Sequence, residues 1–216
     1  MAFKWDYMRC IFGGTFDPVH FGHLRPALDV QQALAIECVH LLPCRIPPHR
    51  EMPGLSDQQR LSLLQLAIEN ESGLAIDTRE LQREGPSYMV DTLLSLRAEI
   101  GDQPLCLALG MDALRGLDTW HRWEEILELC HLVVMQRPGN TWPRNGKVSQ
   151  KVNHARVEVL QELSTLPAGR ILAVPVTQMA VSATQIRGLL SSGRSARYLL
   201  PEVVLERIMQ EKWYAN

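Results

Sequence analysis

"IFGGTFDPVHFGHL", residues 11–24, contains an apolar run, two adjacent glycines, an Asp-Pro turn and two histidines three residues apart. Glycines directly after a strand allow main-chain N–H groups to approach an anion without interference from a Cβ atom. His20 and His23 stand at i and i+3, so at a helix start they share one face. Each imidazole can donate a hydrogen bond to a phosphate oxygen. The stretch therefore predicts a strand, a glycine turn that binds phosphate, and a helix.

This stretch is not one of the familiar phosphate-binding loops. It lacks the GxGxxG dinucleotide fingerprint and the Gly-Lys-Ser/Thr of a P-loop. Two alternatives stay open, a structural turn with two hydrogen-bonded histidines and a metal site. Zinc needs three or four ligands, and no Cys/His cluster at conventional spacing supplies the others. The glycine pair before the histidines favours phosphate.

Short apolar strands and helical patterns alternate along the rest of the chain. The predicted strands are 9–12, 38–43, 74–77, 105–109, 131–135 and 171–174. The predicted helices are 22–35, 57–69, 88–100 (with Ser87 as N-cap), 123–129, 184–191 and 201–212. Residues 139–153 are polar and predict a loop.

This alternation predicts an α/β fold with a Rossmann-like, doubly wound, mainly parallel sheet, helices on both faces and a small C-terminal helical part. We expect a single domain over 1–216, in which the C-terminal part spans about 181–216. Ligands of such sheets bind beyond the carboxyl ends of the strands. The loops after the predicted strands should therefore meet at one crevice.

The composition argues against several classes of protein. A net charge of −2 gives no electrostatic case for binding nucleic acid or a membrane surface. No apolar run is long enough to cross a bilayer, and the N-terminus lacks the apolar segment of a signal peptide. The five cysteines form no CxxC pair, which argues against a disulfide framework. We expect a soluble, cytoplasmic protein.

A second stretch, "VSATQIRGLL" at residues 181–190, combines hydroxyls and a cation at a predicted helix start. Ser182 and Thr184 can cap the helix, and Arg187 is placed on its first turn. Together with open main-chain amides these groups would make a polyphosphate cradle. Because Ser and Thr caps occur on most helices, a purely structural cap stays open.

A third stretch, "GMDALRGLDTWHRW" at residues 110–123, places Asp112 just after a strand, where an active-site carboxylate would sit. An exposed tryptophan can stack on a planar ring. Of Trp120 and Trp123 we expect one to do so and one to anchor the core, with Trp120 nearer the loop. A fourth set of loops, at 43–50, 87–93 and 136–139, carries cations at strand ends: Arg45, His49, Arg50 and Arg137.

These stretches together resemble a known family. "GGTFDPVHFGH" with "VSATQIR" is similar to the nucleotidyltransferase superfamily with HxGH and SxTxIR-type signatures. "PPHR", "PSYMVDTL", "GMDALRGLDTWHRW" and "QRPG" narrow the resemblance to the bacterial nicotinate-nucleotide adenylyltransferase family. The resemblance implies an enzyme of NAD biosynthesis that transfers AMP from ATP to nicotinate mononucleotide, giving deamido-NAD and pyrophosphate. It also implies Mg²⁺ bound mainly through the ATP phosphates.

The resemblance assigns roles to particular positions. The catalytic residues would be His20, His23 and Arg187. The residues that bind ATP would be Gly13, Gly14, Thr15, Phe16, Ser182, Thr184, Ile186 and Arg187. Those around the nicotinate nucleotide would be His49, Tyr88, Thr92, Asp112, Trp120 and Arg137. The partners would be ATP and nicotinate mononucleotide, without nucleic acid or membrane. The oligomeric state, a homo-oligomer included, cannot be read from the sequence.

Two positions depart from the family pattern. Met89 stands where the family usually has Thr, and Cys44 stands where a polar Asn or Asp is common. We expect both to affect the nicotinate side and neither to touch the phosphate chemistry. Two rival functions stay open. One is transfer to another phosphorylated acceptor such as phosphopantetheine. The other is a nucleotide-sensing module without turnover, which would be expected to have lost at least one phosphate-contacting residue.

Overall fold

A computed structural model describes residues 8–48, 52–136 and 141–215 and contains a seven-stranded sheet. The strand order is β3-β2-β1-β4-β5-β7-β6, and every strand pair in these residues is parallel. The strands are β1 (Arg9–Gly14), β2 (Val39–Pro43), β3 (Leu74–Ile76), β4 (Leu105–Gly110), β5 (His131–Gln136), β6 (Arg156–Val157) and β7 (Ile171–Pro175). The predicted α/β class with a doubly wound parallel sheet is confirmed.

Ten α-helices connect or follow these strands within the described residues. They are α1 (Phe21–Leu34), α2 (Asp57–Ile68), α3 (Arg79–Gln82), α4 (Met89–Ile100), α5 (Met111–Arg115), α6 (Trp123–Leu129), α7 (Gly146–Ala155), α8 (Gln161–Ser164), α9 (Ala183–Ser191) and α10 (Glu202–Gln210). A short 3₁₀ turn, Leu117–Thr119, precedes α6. The prediction of a single domain with a C-terminal part from about residue 181 stays a prediction.

Two layers of apolar side chains cover the two faces of the sheet, because successive strand residues point to opposite sides. On β1, Cys10 packs into the cluster formed with α1, α2, α9 and α10. Its neighbour Ile11 packs into the cluster formed with α4, α5, α6 and α7. Helices therefore lie on both faces, and the strand order reverses between β1 and β4. In an open α/β sheet that reversal opens a crevice at the carboxyl ends of the strands.

Two local predictions are wrong. The predicted loop 139–153 contains most of α7, which buries Val148, Val152 and Ala155 at helical spacing within an otherwise polar sequence. Residues 137–140 lie outside the described residues. Ser87 does not cap α4, whose N-cap is Tyr88. The Ser87 hydroxyl instead accepts a hydrogen bond from the main-chain N–H of Arg45 at 3.0 Å, so it holds the loop after β2.

Candidate active site

His20 and His23 form a stacked pair at the start of α1. His20 is the N-cap residue in extended backbone and His23 lies in the first turn. Their ring centroids are 3.8 Å apart, with 28° between the ring planes. The prediction that they share one face is confirmed. Both rings lie in the loop and helix start that follow β1, at the strand-order reversal.

His20 is buried without full hydrogen bonding. Its side chain is 4% exposed, and its Nδ1 has no hydrogen-bond partner within the part of the chain that the structure describes. Burial lowers the pKa of His20 to about 4, so the ring is neutral at neutral pH. A buried polar atom without a partner costs about 1–3 kcal/mol, and such atoms in native proteins are uncommon. The unsatisfied nitrogen is a physical reason to expect a ligand here.

Gly22 is the residue between the two histidines that brings α1 against the second motif. A Cβ built on Gly22 would lie 2.9 Å from His20 Nδ1 and 3.0 Å from the main-chain oxygen of Val181. The first separation is closer than real Cβ atoms approach and the second is tighter than most, so a side chain here would displace the ring or the backbone. The helix start and the "VSATQIR" segment therefore lie close together.

The loop after β1 is closed by apolar side chains. Phe16 has a left-handed φ of 50°, and its ring packs edge-on to His23 with centroids 5.0 Å apart. A Cβ on Gly14 would lie 2.9 Å from this ring, and one on Gly13 would lie 3.1 Å from Met89 Cε. Gly14 is therefore needed because the Phe16 ring occupies the space where a Cβ would stand, whereas at Gly13 only the flexible end of Met89 would have to move.

The two departures from the family pattern touch this same loop. Met89 Cε lies against Gly13, and Cys44 Sγ is 3.7 Å from Thr15 Oγ1. The expectation that both affect the nicotinate side stays a prediction. Pairing of β1 with β2 and the approach of α4 bring both residues beside the end of β1, where Gly13 and Gly14 are its last two residues.

The second motif begins α9 with a capped end. Ser182 is the N-cap, and its hydroxyl accepts from the N–H of Gln185 at 3.2 Å. Arg187 lies in the second turn rather than the first, with Nη2 3.5 Å from Thr184 Oγ1. Its Nη1 donates to the main-chain oxygen of Asp17 at 2.7 Å. Ile186 is fully buried in the core, so any contact it makes with a nucleotide base would come from its main chain.

The sequence reasoning missed Arg60. This arginine in α2 is 0% exposed. It donates to the main-chain oxygens of Thr15 at 2.6 Å and Cys44 at 2.7 Å, and it pairs with Asp57 at 2.6 Å. Arg60 in α2 therefore connects the loop after β1 to the loop after β2 by hydrogen bonds. A basic residue within an apolar helical pattern was the available signal, but a snorkelling surface arginine gives the same signal.

Thr92, predicted to contact the nicotinate nucleotide, has a hydroxyl already committed to internal bonds. It is fully buried, donates to Glu80 Oε1 at 2.7 Å and accepts from Arg83 at 3.0 Å. Burial raises the pKa of Glu80 above its ordinary value. Tyr88, at the start of the same helix, stacks on His121 with centroids 4.3 Å apart. Thr92 therefore supports the 83–92 segment, while Tyr88 lies nearer the surface.

The "GMDALRGLDTWHRW" stretch is arranged partly as expected. Trp120 and Trp123 are both half-buried against the core cluster of α4–α7, so the expected division into one exposed and one core tryptophan was wrong. Asp112 has a side chain that is 92% exposed and pairs with Arg115 at 3.1 Å. His49 and Arg137 lie outside the described residues, so the structure does not place them.

Within residues 8–48, 52–136 and 141–215, no group of three or more His, Cys, Asp or Glu side chains could hold a metal ion. No helix in these residues is long and apolar enough to span a membrane.

Comparison with known proteins identifies the class. The family described as cytidylyltransferase-like matches residues 11–189, which include both phosphate-site motifs. The chain belongs to this family of nucleotidyltransferases. Its fold is similar to that of a nicotinic acid mononucleotide adenylyltransferase of Plasmodium falciparum complexed with NaAD, with a TM-score of 0.73 at 15% identity, covering 96% of this chain and 97% of that one.

Sequence relatives narrow the class. "Probable nicotinate-nucleotide adenylyltransferase" of Methylococcus capsulatus is 48% identical over 207 residues, which are 95% of this chain and 99% of the relative. The protein of the same name from Halorhodospira halophila is 46% identical and covered to 94% on both sides. Within the wider family, the chain belongs to the nicotinate-nucleotide adenylyltransferases.

Proposed function

We propose that this chain carries out the reaction of its family, transfer of AMP from ATP to nicotinate mononucleotide in NAD biosynthesis, with His20, His23 and Arg187 at the reacting phosphates. The observation that carries the proposal is the stacked histidine pair with the unsatisfied Nδ1 of His20. The hydrogen bond of Arg187 to Asp17 connects the second motif to the same loop. One site thus holds donors for two neighbouring phosphates.

The chemistry is an in-line displacement at phosphorus. An oxygen of the mononucleotide 5′-phosphate forms a bond to the α-phosphorus of ATP, and the bond from that phosphorus to the bridging oxygen breaks. Pyrophosphate leaves with the electron pair, and deamido-NAD remains. Because negative charge is redistributed over phosphate oxygens, positioning and hydrogen-bond donors contribute more than a protein nucleophile.

The residues divide the work according to their position. His20, which is neutral at neutral pH, and His23 donate N–H groups to the α-phosphate, and Arg187 balances the charge of the leaving pyrophosphate. Main-chain amides of Gly13, Gly14 and Thr15 bind the triphosphate, with Phe16 shaping their turn. Ser182, Thr184 and the main chain of Ile186 complete the ATP site at the start of α9.

The nicotinate nucleotide lies on the α4 side of the crevice. Tyr88 and Trp120 provide aromatic faces, and Trp120 stacks on the pyridine ring. The first turn of α4 begins without a side-chain cap, so its main-chain N–H groups can donate hydrogen bonds to the ring carboxylate. Thr92 acts by holding this turn, and Asp112 lies near the nicotinate nucleotide. The same role for His49 and Arg137, which lie outside the described residues, rests on the family resemblance alone.

Mg²⁺ would be held mainly by the phosphates of ATP, because this ion retains waters and is bound mainly through substrate phosphates. When bound it would supply charge neutralisation to those phosphates. The donor set near the site fits this mode of binding. The nearby carboxylate of Asp17 is already bonded to Tyr214 and Gly54, and the remaining groups are imidazoles, a guanidinium and amides.

We also propose a cytoplasmic location, consistent with the buried thiols of Cys10, Cys106 and Cys130.

The test is pyrophosphate release with ATP and Mg²⁺, using nicotinate mononucleotide, nicotinamide mononucleotide and phosphopantetheine as separate acceptors. We expect release with nicotinate mononucleotide and a product with the mass of deamido-NAD. Release with phosphopantetheine alone would assign a different acceptor. Binding of ATP without release for any acceptor would support the nucleotide-sensing alternative and contradict the proposal.

A further inference from the structure

Asp17, in the turn between β1 and α1, is hydrogen-bonded through its side-chain carboxylate and through its main-chain carbonyl. Its side chain is 4% exposed. Tyr214 Oη donates to Oδ1 at 2.5 Å, and the N–H of Gly54 donates to Oδ2 at 2.8 Å. Arg187 Nη1 lies 3.7 Å from Oδ2 and donates to the main-chain oxygen of the same residue at 2.7 Å. One aspartate therefore orients the guanidinium with its carboxylate and its carbonyl.

Tyr214 comes from the far end of the chain, after α10 and 197 residues from Asp17. It adopts a left-handed φ of 63°, a backbone conformation that is unfavourable for a non-glycine residue. Its ring packs against the α1, α2, α9 and α10 core cluster. Burial and the neighbouring Asp17 charge raise the pKa of the phenol above its usual range, so the hydroxyl remains a donor at any working pH.

We infer that Tyr214 is a positioning residue for adenylyl transfer, which fixes the Asp17 carboxylate so that Arg187 is held toward the leaving pyrophosphate. The inference rests on the proposed role of Arg187. Without the phenol, Asp17 Oδ1 loses its partner and the carboxylate can rotate toward Arg187. The guanidinium would then pair with Asp17 more closely and less with pyrophosphate. The C-terminal tail is thus part of the ATP site.

The experiment compares Tyr214→Phe with Tyr198→Phe, a matched loss of one phenol from a residue that is 86% exposed. Both variants are measured in the forward reaction and in the reverse reaction, in which deamido-NAD and pyrophosphate give ATP. For Tyr214→Phe we expect kcat to fall about tenfold, the loss of one hydrogen bond to a charged group. The KM for pyrophosphate should rise while the KM for nicotinate mononucleotide is unchanged. Tyr198→Phe should match the wild type.

A wild-type KM for pyrophosphate and an unchanged kcat in Tyr214→Phe would overturn the inference. An equal rise in the KM for pyrophosphate and in the KM for nicotinate mononucleotide would also overturn it, because a merely structural role predicts that result. If Tyr214→Phe folds poorly, Asp17→Asn tests the same mechanism, because it keeps the shape and removes the negative charge that would capture Arg187. Its KM for pyrophosphate should not rise, and a selective rise would overturn the inference. A wild type that forms no dinucleotide would instead contradict the proposed function, so the two failures are distinguishable.

Discussion

The two ends of the parallel sheet each bury a histidine, and the two histidines are bonded differently. His131 begins β5 at the amino end, where its Nδ1 accepts the N–H of Arg170 at 3.0 Å and its Nε2 donates to the oxygen of Leu166 at 2.9 Å. His20, at the carboxyl end, has an Nδ1 without a partner in the described chain. Burial lowers the pKa of both. The amino-end ring completes the fold, whereas the carboxyl-end ring is left to bond a ligand.

Arginines that bond main-chain oxygens occur at both ends of the sheet, so they do not separate the two ends. Half-buried Arg97 donates to the main-chain oxygens of Leu129, Gly101, Gln103 and Pro167 at the amino end. Arg60 does the same for two loops at the carboxyl end. Unbonded Nε atoms occur in Arg60 and in Arg170, one at each end. Within the described residues, the unsatisfied imidazole, and not a guanidinium, distinguishes the carboxyl end of the sheet, where we propose the active site.

The largest expected effect is a difference between the histidines at the two ends of the sheet, in which substitution at one end lowers activity and substitution at the other lowers stability. His20→Ala or His23→Ala should lower kcat about 10²–10³-fold, the cost of removing a donor to a developing charge. His131→Ala should instead lower the free energy of unfolding by about 2–4 kcal/mol, because two main-chain partners lose their bonds, with kcat of the folded enzyme unchanged. Steady-state kinetics and urea unfolding of all three variants measure this. Near-normal turnover and ATP affinity in His23→Ala would rule out its assigned role.

A smaller effect is expected from two glycines that are crowded at opposite ends. Gly22→Ala meets His20 and the Val181 main chain, so the ring must move, and kcat should fall about tenfold. A Cβ on Gly73 at the amino end meets Leu28 Cδ2 at 3.0 Å and Glu71 Oε1 at 3.1 Å, which are the ends of flexible side chains. Gly73→Ala should therefore change stability only. Equal kcat values in the two variants would contradict this account.

The arginine pair should give a still smaller difference in activity. Arg60→Met removes bonds from a fully buried side chain to two main-chain oxygens and should destabilise the fold by about 2–4 kcal/mol. Three of the four main-chain bonds of Arg97 are exposed to solvent, so Arg97→Met should destabilise the fold less. Only Arg60→Met loosens the Thr15 loop, and we expect its kcat/KM for ATP to fall about fivefold. Thermal unfolding and ATP kinetics would be compared at a temperature where both variants are folded. A matching loss in Arg97→Met would show that activity follows stability alone.

The sequence predicted those features that depend on local spacing. The six predicted strands are near their observed bounds, because apolar runs bounded by turn residues identify buried strands. The stacked histidines follow from a separation of three residues at a helix start. Helix α7 was missed because three buried apolar positions are spread through a polar sequence.

The rest of the site depends on contacts between distant parts of the chain. Arg60 is 45 residues from Thr15, and Tyr214 is 197 residues from Asp17. No local spacing relates residues so far apart, so neither could be found by a motif. Thr92 is the opposite case. Its position in a motif predicts contact with the nucleotide, but in the structure its hydroxyl is hydrogen-bonded to Glu80 and Arg83.

The smallest expected effect is a shift in titration that leaves activity intact. With the pKa of folded His20 at about 4 and an ordinary value near 6.5 in the unfolded chain, the unfolded state binds more protons between these pH values. Stability therefore falls as pH falls from about 6.5 to 4, by up to about 3 kcal/mol from this residue.

A non-hydrolysable ATP analogue should raise the pKa of His20, because phosphate charge favours the imidazolium. The pKa of His131 should stay unchanged, since its partners are main-chain groups at the other end of the sheet. NMR titration of the two ring Cε1–H signals, assigned with His20→Gln and His131→Gln variants, measures both. If the analogue moved neither signal, His20 would not be a phosphate ligand. If the analogue moved both signals equally, His20 and His131 would not differ in their electrostatic contact with the nucleotide.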